Sequence, residues 1–264
     1  MARLADESGL DQLWLWEDCF LESGVAAASA ALAWTERVRV GVGLMPVPFR
    51  NAALAAMEIA TVERLFPGRF IPGVGHGVQD WMQQVGARVE SPVTLLREHL
   101  SAIRALLNGE TVTTQGRYVK LDNVALDWPP ATKPAVFAGA TGPRSIKLCG
   151  EAADGTILTA SKSVEGVREA RRLIDEGRAE AGRTDKHEVV VYLLAATGPT
   201  AAERVKAEAD APDTGVAGDA AAVADAVQRY AEAGADTVVL QPTADEPDPE
   251  GFLRFVAGEI RPRI

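Results

Sequence analysis

Ala135-Val136-Phe137-Ala138-Gly139-Ala140-Thr141-Gly142-Pro143-Arg144-Ser145-Ile146-Lys147-Leu148, with Asp154-Gly155-Thr156-Ile157-Leu158-Thr159-Ala160 shortly after it, is the stretch on which the fold turns. An apolar run breaks at Gly139, restarts after Pro143 with helical spacing, and gives way to a second apolar run. This pattern is strand, glycine turn, helix, strand: a βαβ unit whose turn opens onto a helix N-terminus. Thr141 stands where an N-cap belongs, and Pro143 suits the first helical turn because an N–H there has no intrahelical partner. The backbone N–H groups of Gly142, Arg144 and Ser145 are then expected to be free at the positive end of the helix dipole. With a guanidinium and a hydroxyl beside them, they form a candidate phosphate site. The alternative is that Thr-Gly-Pro only starts the helix, because short glycine motifs arise by chance.

Working outward, Met1–Gly9 has the character of a helix stopped by a glycine, and Asp11–Trp16 of a strand ending in Glu17-Asp18. A helix is expected over Val25–Trp34 and an alternating strand over Arg37–Leu44. Asn51 caps a helix running to Phe66, with Leu54, Met57, Thr61 and Leu65 on one face. Arg69–Gly77 is a strand passing into a glycine loop. Ser91-Pro92 opens a helix to Leu107 with Leu96, Leu100, Ile103 and Leu107 inward, and Thr111–Leu126 alternates around Gln115-Gly116 as a hairpin. Beyond the central unit, Ser163 begins an amphipathic helix with Val164, Val167, Ala170 and Ile174 facing in. His187–Thr197 is a strand, Ala209–Gly218 a mobile loop, Ala220–Ala233 a helix, Asp236–Gln241 the last strand and Phe252–Ile260 a closing helix.

Such alternation over 264 residues predicts one domain, residues 1–264, built as a (β/α) TIM-type barrel with an inserted β-hairpin. An open dinucleotide-binding sheet fits less well, since neither Gly73-Val74-Gly75-His76-Gly77-Val78 nor Gly139-Ala140-Thr141-Gly142 completes GxGxxG. With 27 basic and 37 acidic residues the net charge is −10, which argues against nucleic acid or an anionic lipid surface as partner. Two cysteines, Cys19 and Cys149, without a CxxC spacing indicate reduced thiols and a cytoplasmic location, and no apolar span or signal sequence is apparent.

The ordered set of short motifs resembles the luciferase-like family of flavin- and deazaflavin (F420)-dependent oxidoreductases. The matching pieces are Leu13-Trp14-Leu15-Trp16-Glu17-Asp18, Gly41-Val42-Gly43-Leu44 with Phe49-Arg50-Asn51, and Leu65-Phe66-Pro67-Gly68-Arg69-Phe70 leading to Gly73-Val74-Gly75-His76-Gly77. Gly139-Ala140-Thr141-Gly142-Pro143-Arg144, Ala153-Asp154-Gly155 and Ala233-Gly234-Ala235-Asp236 complete it. The resemblance implies a cofactor across the C-terminal mouth of the barrel, its phosphate near Thr141–Ser145. It implies polar groups at Glu17 and Asp18 near the ring, and a strand end at Gly43-Leu44, in some members with a cis peptide, behind the ring. His76 and Gly77 match the loop beside the ribityl chain, and Trp81 follows as a further cofactor contact. Val78 stands where the sugar-phosphate dehydrogenases of the family use glutamate, which speaks against glucose 6-phosphate. Homodimers are the common assembly in the family.

Family members begin with a strand ahead of the helix that ends here at Gly9. If Met1 is the start, the barrel is expected to lack its first strand, leaving a gap between Asp11–Trp16 and Asp236–Gln241 and an edge that seeks a partner chain.

The candidate catalytic residues are Glu17, Asp18 and His76, with N-capping as the alternative for the two carboxylates and plain polar contact for His76. His99 and His187 are scattered and no HExxH occurs, so no metal site is expected. Arg50 either approaches a phosphate or flanks its helix at the surface. Asp154-Gly155, at the start of its strand, belongs to the stability face, and core packing accounts for Trp14 and Trp16. The expected function is hydride transfer between coenzyme F420, or FMN, and an unidentified small organic substrate. The alternatives are an FMN-dependent monooxygenase, a non-redox phosphate-binding barrel enzyme, and a non-catalytic remnant.

Overall fold

The computed structural model describes residues 1–264. Helix α1 (Ala2–Glu7) opens the chain, and Gly9, at φ +75°, turns it into strand β1 (Gln12–Leu15). Then come α2 (Gly24–Ala33), β2 (Arg39–Pro46), α3 (Ala52–Leu65), β3 (Phe70–Gly75), α4 (Gln79–Gln84) and α5 (Pro92–Leu107). A hairpin of β4 (Val112–Gln115) and β5 (Lys120–Val124) precedes β6 (Phe137–Gly139), α6 (Pro143–Ala152), β7 (Gly155–Leu158) and α7 (Val164–Glu180). The chain closes with β8 (Glu188–Ala196), α8 (Ala201–Glu208), β9 (Gly215–Ala217), α9 (Ala220–Glu232), β10 (Thr237–Pro242) and α10 (Pro249–Phe255), the last running on into a wide turn at Val256–Ile260.

The strands pair in parallel in the order β1-β2-β3-β6-β7-β8-β10, with short β9 alongside the end of β8. Ladders join every neighbour on that path, and β1 and β10 are its two ends. The sheet is therefore a barrel with one side open, and the strand expected to be missing ahead of α1 is not there. Near the open side, Arg261 from the C-terminal turn bonds Asp11 at 3.0 Å.

Between sheet and helices lies the main core, including Val40, Val42, Val74, Leu96, Leu100 and Leu148. A smaller cluster fills the interior of the curl, where Phe137 and Tyr192 pack with Ile71, Ile157 and Val190. Trp14 joins them edge-on, its ring 6.3 Å from Phe137 and 6.1 Å from Tyr192. Space for these rings comes from glycines that pair with them on adjacent strands: a Cβ on Gly41 would stand 2.5 Å from Trp14, and one on Gly155 would stand 2.3 Å from Phe137. Trp14 is thus core as expected. Trp16 is not, being 42% exposed on the cavity wall.

Three sequence expectations are corrected. Leu54, Met57, Thr61 and Leu65 do share a face of α3, but it is the solvent face, and Ala52, Ala55, Ala56, Ile59 and Ala60 turn inward. Small residues let the helix lie close to the barrel, so size alone misleads about orientation. The loop expected over Ala209–Gly218 contains β9, which continues the sheet beside β8, and α8 ahead of it escaped the reading. Thr141 is not the N-cap of α6: Gly142 is, and no side chain caps the helix.

The end of the sheet where strands begin is tied by carboxylates to backbone N–H groups. Asp6 accepts from Glu36, Arg37 and Val38 ahead of β2, at 2.7 to 3.0 Å. Glu63 accepts from Gly68 ahead of β3, Asp154 from Val136 ahead of β6, and Asp236 from Val189 in β8. Asp154 also holds Arg104 at 2.7 Å and Arg183 at 3.1 Å, which agrees with its reading as a structural residue.

Candidate active site

Parallel strands bring their C-terminal ends to one rim, so the loops after β1, β2, β3, β6, β7, β8 and β10 face a common space. That space is a cavity of about 510 Å³, within the range of small-molecule sites. Of the residues picked out by sequence, Glu17, Asp18, Gly43, Leu44, His76, Gly77, Trp81 and Thr141 line it. Gly142, Arg144 and Ser145 follow directly at the start of α6 without lining the cavity themselves.

The floor comes from β2. The Gly43–Leu44 peptide is cis, as the family resemblance implied. Leu44 packs onto the backbones of Gly75 and Gly139, where a Cβ would lie 2.4 and 2.2 Å from its methyl carbons. Two glycines at neighbouring strand ends thus seat one apolar side chain as a flat patch under the cavity. Beside it, a Cβ on Gly43 would come within 2.6 Å of the Tyr192 hydroxyl.

One wall is the loop after β3 and the start of α6. His76 Nε2 and Ser145 Oγ share a hydrogen bond of 2.8 Å, which joins these two elements. Burial pushes His76 below the usual imidazole range, with the backbone at Pro92 opposing the shift, so the ring is neutral at pH 7. Its Nδ1 has no partner. Above this pair, α6 begins with no side-chain cap, leaving its first N–H groups open. Lys162 reaches the same turn, donating to the Thr141 carbonyl at 3.0 Å. Arg144 is exposed.

The two carboxylates after β1 part company. Glu17 is buried, and its Oε2 accepts from Arg50 at 2.7 Å and from the Gly24 N–H of α2 at 2.8 Å. Arg50 also bonds Glu58 at 2.8 Å, so it is neither a surface residue nor a free phosphate ligand. Glu17 is thereby committed to holding α2 and the β2–α3 connection. Asp18 makes no such bonds. Desolvation at the cavity edge holds its carboxyl above the ordinary range, which favours its protonated form relative to a fully hydrated carboxylate.

Sequence reasoning missed three contributors. Tyr192 sits inside the apolar run of β8 and reads as core, yet its hydroxyl is buried without a partner on the cavity floor. Glu208 at the end of α8 and Gln241 in β10 also line the cavity. The lone hydroxyl within Val189-Val190-Val191-Tyr192-Leu193-Leu194 was the available signal for the first. Glu208 lay in α8, which escaped the reading, and Gln241 in the last strand, whose end carried no local sign of facing the cavity. His99 and His187 stay away from the cavity: His99 is buried in α5, and His187 bonds Thr156 at 2.8 Å at the opposite end of the sheet.

The family described as luciferase-like monooxygenase matches residues 1–211. The chain belongs to it. Among its relatives is a 5,10-methylenetetrahydromethanopterin reductase of Methanolobus tindarius, 32% identical over 193 residues, which cover 72% of this chain and 58% of the relative. Another is an F420-dependent glucose-6-phosphate dehydrogenase of Microbacterium testaceum, 32% identical over 197 residues, covering 69% and 58% respectively. The matched region thus spans less than two-thirds of the length of these relatives. A solved F420-dependent secondary alcohol dehydrogenase, in complex with an F420-acetone adduct, superimposes with a TM-score of 0.89 at 21% identity, covering 100% of this chain and 93% of that one. This likeness establishes the luciferase-like barrel as the fold. No helix is long and apolar enough to cross a membrane.

Proposed function

We propose that this chain is an oxidoreductase that transfers a hydride between coenzyme F420 and a small organic substrate. The observation that carries the reading is one cavity with a flat apolar floor at Gly43-Leu44, the unpartnered Asp18 carboxyl in its lining and, just beyond Thr141 at its edge, the uncapped start of α6 at Gly142–Ser145. The name of one relative supports F420 over FMN, since the F420-dependent glucose-6-phosphate dehydrogenase matches the sequence at 32% identity. A solved FMN complex of a Baeyer-Villiger monooxygenase is also similar, at 18% identity.

The residues fit such a cofactor. Thr141, Gly142, Arg144 and Ser145 would hold its phosphate with backbone N–H groups and one guanidinium. Leu44 would support the ring, with His76, Gly77 and Trp81 along its chain. When bound, F420 supplies a two-electron hydride donor or acceptor. Asp18 accepts or returns the proton that leaves or joins the substrate oxygen as hydride moves. His76, neutral and fixed by Ser145, fixes the wall beside it. Glu17 acts at one remove, through Arg50 and the N-terminus of α2.

Titration of the full chain with F420 and with FMN, followed by ring fluorescence, tests the assignment. Saturable binding of F420, weakened about tenfold in Arg144→Ala, is the expected result. Preference for FMN would move the protein to the flavin branch, and binding of neither would remove the redox reading.

A further inference from the structure

The charges around the cavity are segregated. Along the sheet path β6 is central and β1 and β10 are the free ends, so in the curled sheet the loop after β6 lies across the mouth from the loops after β1 and β10. The uncapped start of α6, with Arg144 and Lys162 nearby, is the side that attracts anions. Opposite it, the lining side chains with charge are acidic. Asp18 follows β1. Glu208 ends α8, its Oε2 accepting from Ala244 N–H at 2.7 Å while Oε1 is left without a protein partner. A side lobe of about 280 Å³ continues past Glu208 to Asp210. No lysine or arginine lines either space.

Beneath this acidic half lies an independent feature. Tyr192 is 4% exposed, its ring is fixed edge-on against Trp14, and its hydroxyl has no hydrogen-bond partner. An unpaired buried hydroxyl costs stability unless something completes it. Its position beside Gly43, which a Cβ there would obstruct, puts the donor at the cavity floor.

We infer that the acidic half of the main cavity, between Asp18 and Glu208, takes an uncharged or cationic substrate, holds one of its oxygen or nitrogen atoms with the Tyr192 hydroxyl, and rejects phosphate esters. The inference rests on the reading of the cavity as an F420 site in one respect: the cofactor's phosphate occupies the α6 side, and a second phosphate would have to enter the acidic side. There it would meet Asp18, Glu208 and Asp210, with no lysine or arginine in the lining to neutralise it.

Three probes on one scaffold test this: cyclohexanol, cyclohexylammonium and cyclohexyl phosphate. Each is titrated into the F420-loaded full chain and into the chain alone, with tryptophan fluorescence as readout, since Trp16 and Trp81 line the cavity. The alcohol and the ammonium are expected to bind at least about tenfold more tightly than the phosphate ester. Tyr192→Phe should weaken cyclohexanol about fivefold, as for one lost hydrogen bond, with a melting temperature equal to or above that of the parent chain. Glu208→Gln, which keeps an acceptor for Ala244, should erase the advantage of the ammonium and leave the alcohol unaffected. Equal or tighter binding of the phosphate ester, indifference of cyclohexanol to Tyr192→Phe, or no response to any probe would overturn the inference. Failure of F420 to bind while the chain alone still ranks the probes as stated would strike the redox reading and leave the acidic substrate site standing.

Discussion

His187 and His76 each share a 2.8 Å hydrogen bond with a hydroxyl, Thr156 in one case and Ser145 in the other, and in each case burial lowers the imidazole pKa. They lie at opposite ends of the same parallel sheet. Around His187, where strands begin, Asp154 and Asp236 accept from backbone N–H groups and Arg104 and Arg183 close on Asp154. Around His76, where strands end, polar groups are left open: the start of α6, the Asp18 carboxyl and the Tyr192 hydroxyl. The same local bond therefore serves to close one end and to shape the other. Carboxylates at one end are committed to backbone N–H groups and arginines, whereas the start of α6, the Asp18 carboxyl and the Tyr192 hydroxyl at the other stand where a ligand could complete them.

The largest expected effect that tests this contrast is acid unfolding of the closed end. His187, held at about 4, and His99 in the core, also at about 4, both lie below the ordinary imidazole value of 6.5. Between those values the unfolded chain binds protons that the native chain refuses. Stability is therefore complete above pH 6.5 and falls as pH drops toward 4, by about 3 kcal/mol per histidine in the limit. Urea midpoints measured from pH 7.5 to 4 should follow that slope, and His187→Gln should remove its share. The same substitution at His76 should affect the cavity and not the slope to the same degree.

Next in size is Asp154→Ala, which leaves Arg104, Arg183 and the Val136 N–H without their common acceptor. A loss of about 3 kcal/mol is expected, read by chemical denaturation. F420 affinity of the folded fraction should not change. A variant that kept its stability but lost F420 would mean that the two ends are not separable in this way.

Much of this division was written in the sequence. Alternating apolar runs and glycine stops located the principal strands, and the order of motifs placed Gly43-Leu44, His76 and Thr141 at one rim because parallel strands leave no other choice. What could not be read was pairing across distance. Glu17 and Arg50 are 33 residues apart, and nothing local shows that the carboxylate is spoken for. Asp18 next to it looks the same in sequence and is free. Tyr192 is another case, since a tyrosine in a valine-rich strand has the signature of core, and only the surroundings show that its hydroxyl has nothing to bond. The α3 face failed for a different reason: the alanine side, not the leucine side, met the barrel.

At the open end the corresponding perturbation is Arg144→Ala. This side chain is exposed and helps to hold no element in place, so the melting temperature should stay within error. F420 binding should weaken about tenfold, or about 1.4 kcal/mol, as for one charge-assisted contact to a phosphate. The measurement sharpens the contrast because stability and binding move in the opposite pattern to Asp154→Ala.

The smallest effect separates burial from charge as the source of strength at the closed end. Asp11 and Arg261 form a 3.0 Å ion pair near the open side of the barrel, with side chains 76% and 47% exposed. Asp154, by contrast, is 14% exposed and its partner Arg183 11%. Water and salt screen the first pair, and two flexible side chains must be ordered to make it, so Asp11→Asn should cost less than about 0.5 kcal/mol. That cost should vanish in 0.5 M salt, at which the Debye length falls to about 4 Å, whereas the loss in Asp154→Ala should persist. If Asp11→Asn were as damaging as Asp154→Ala, the bridge from the C-terminal turn to β1 would be the element that holds the open sheet in its curl. The carboxylate ties at the strand starts would then be secondary to it.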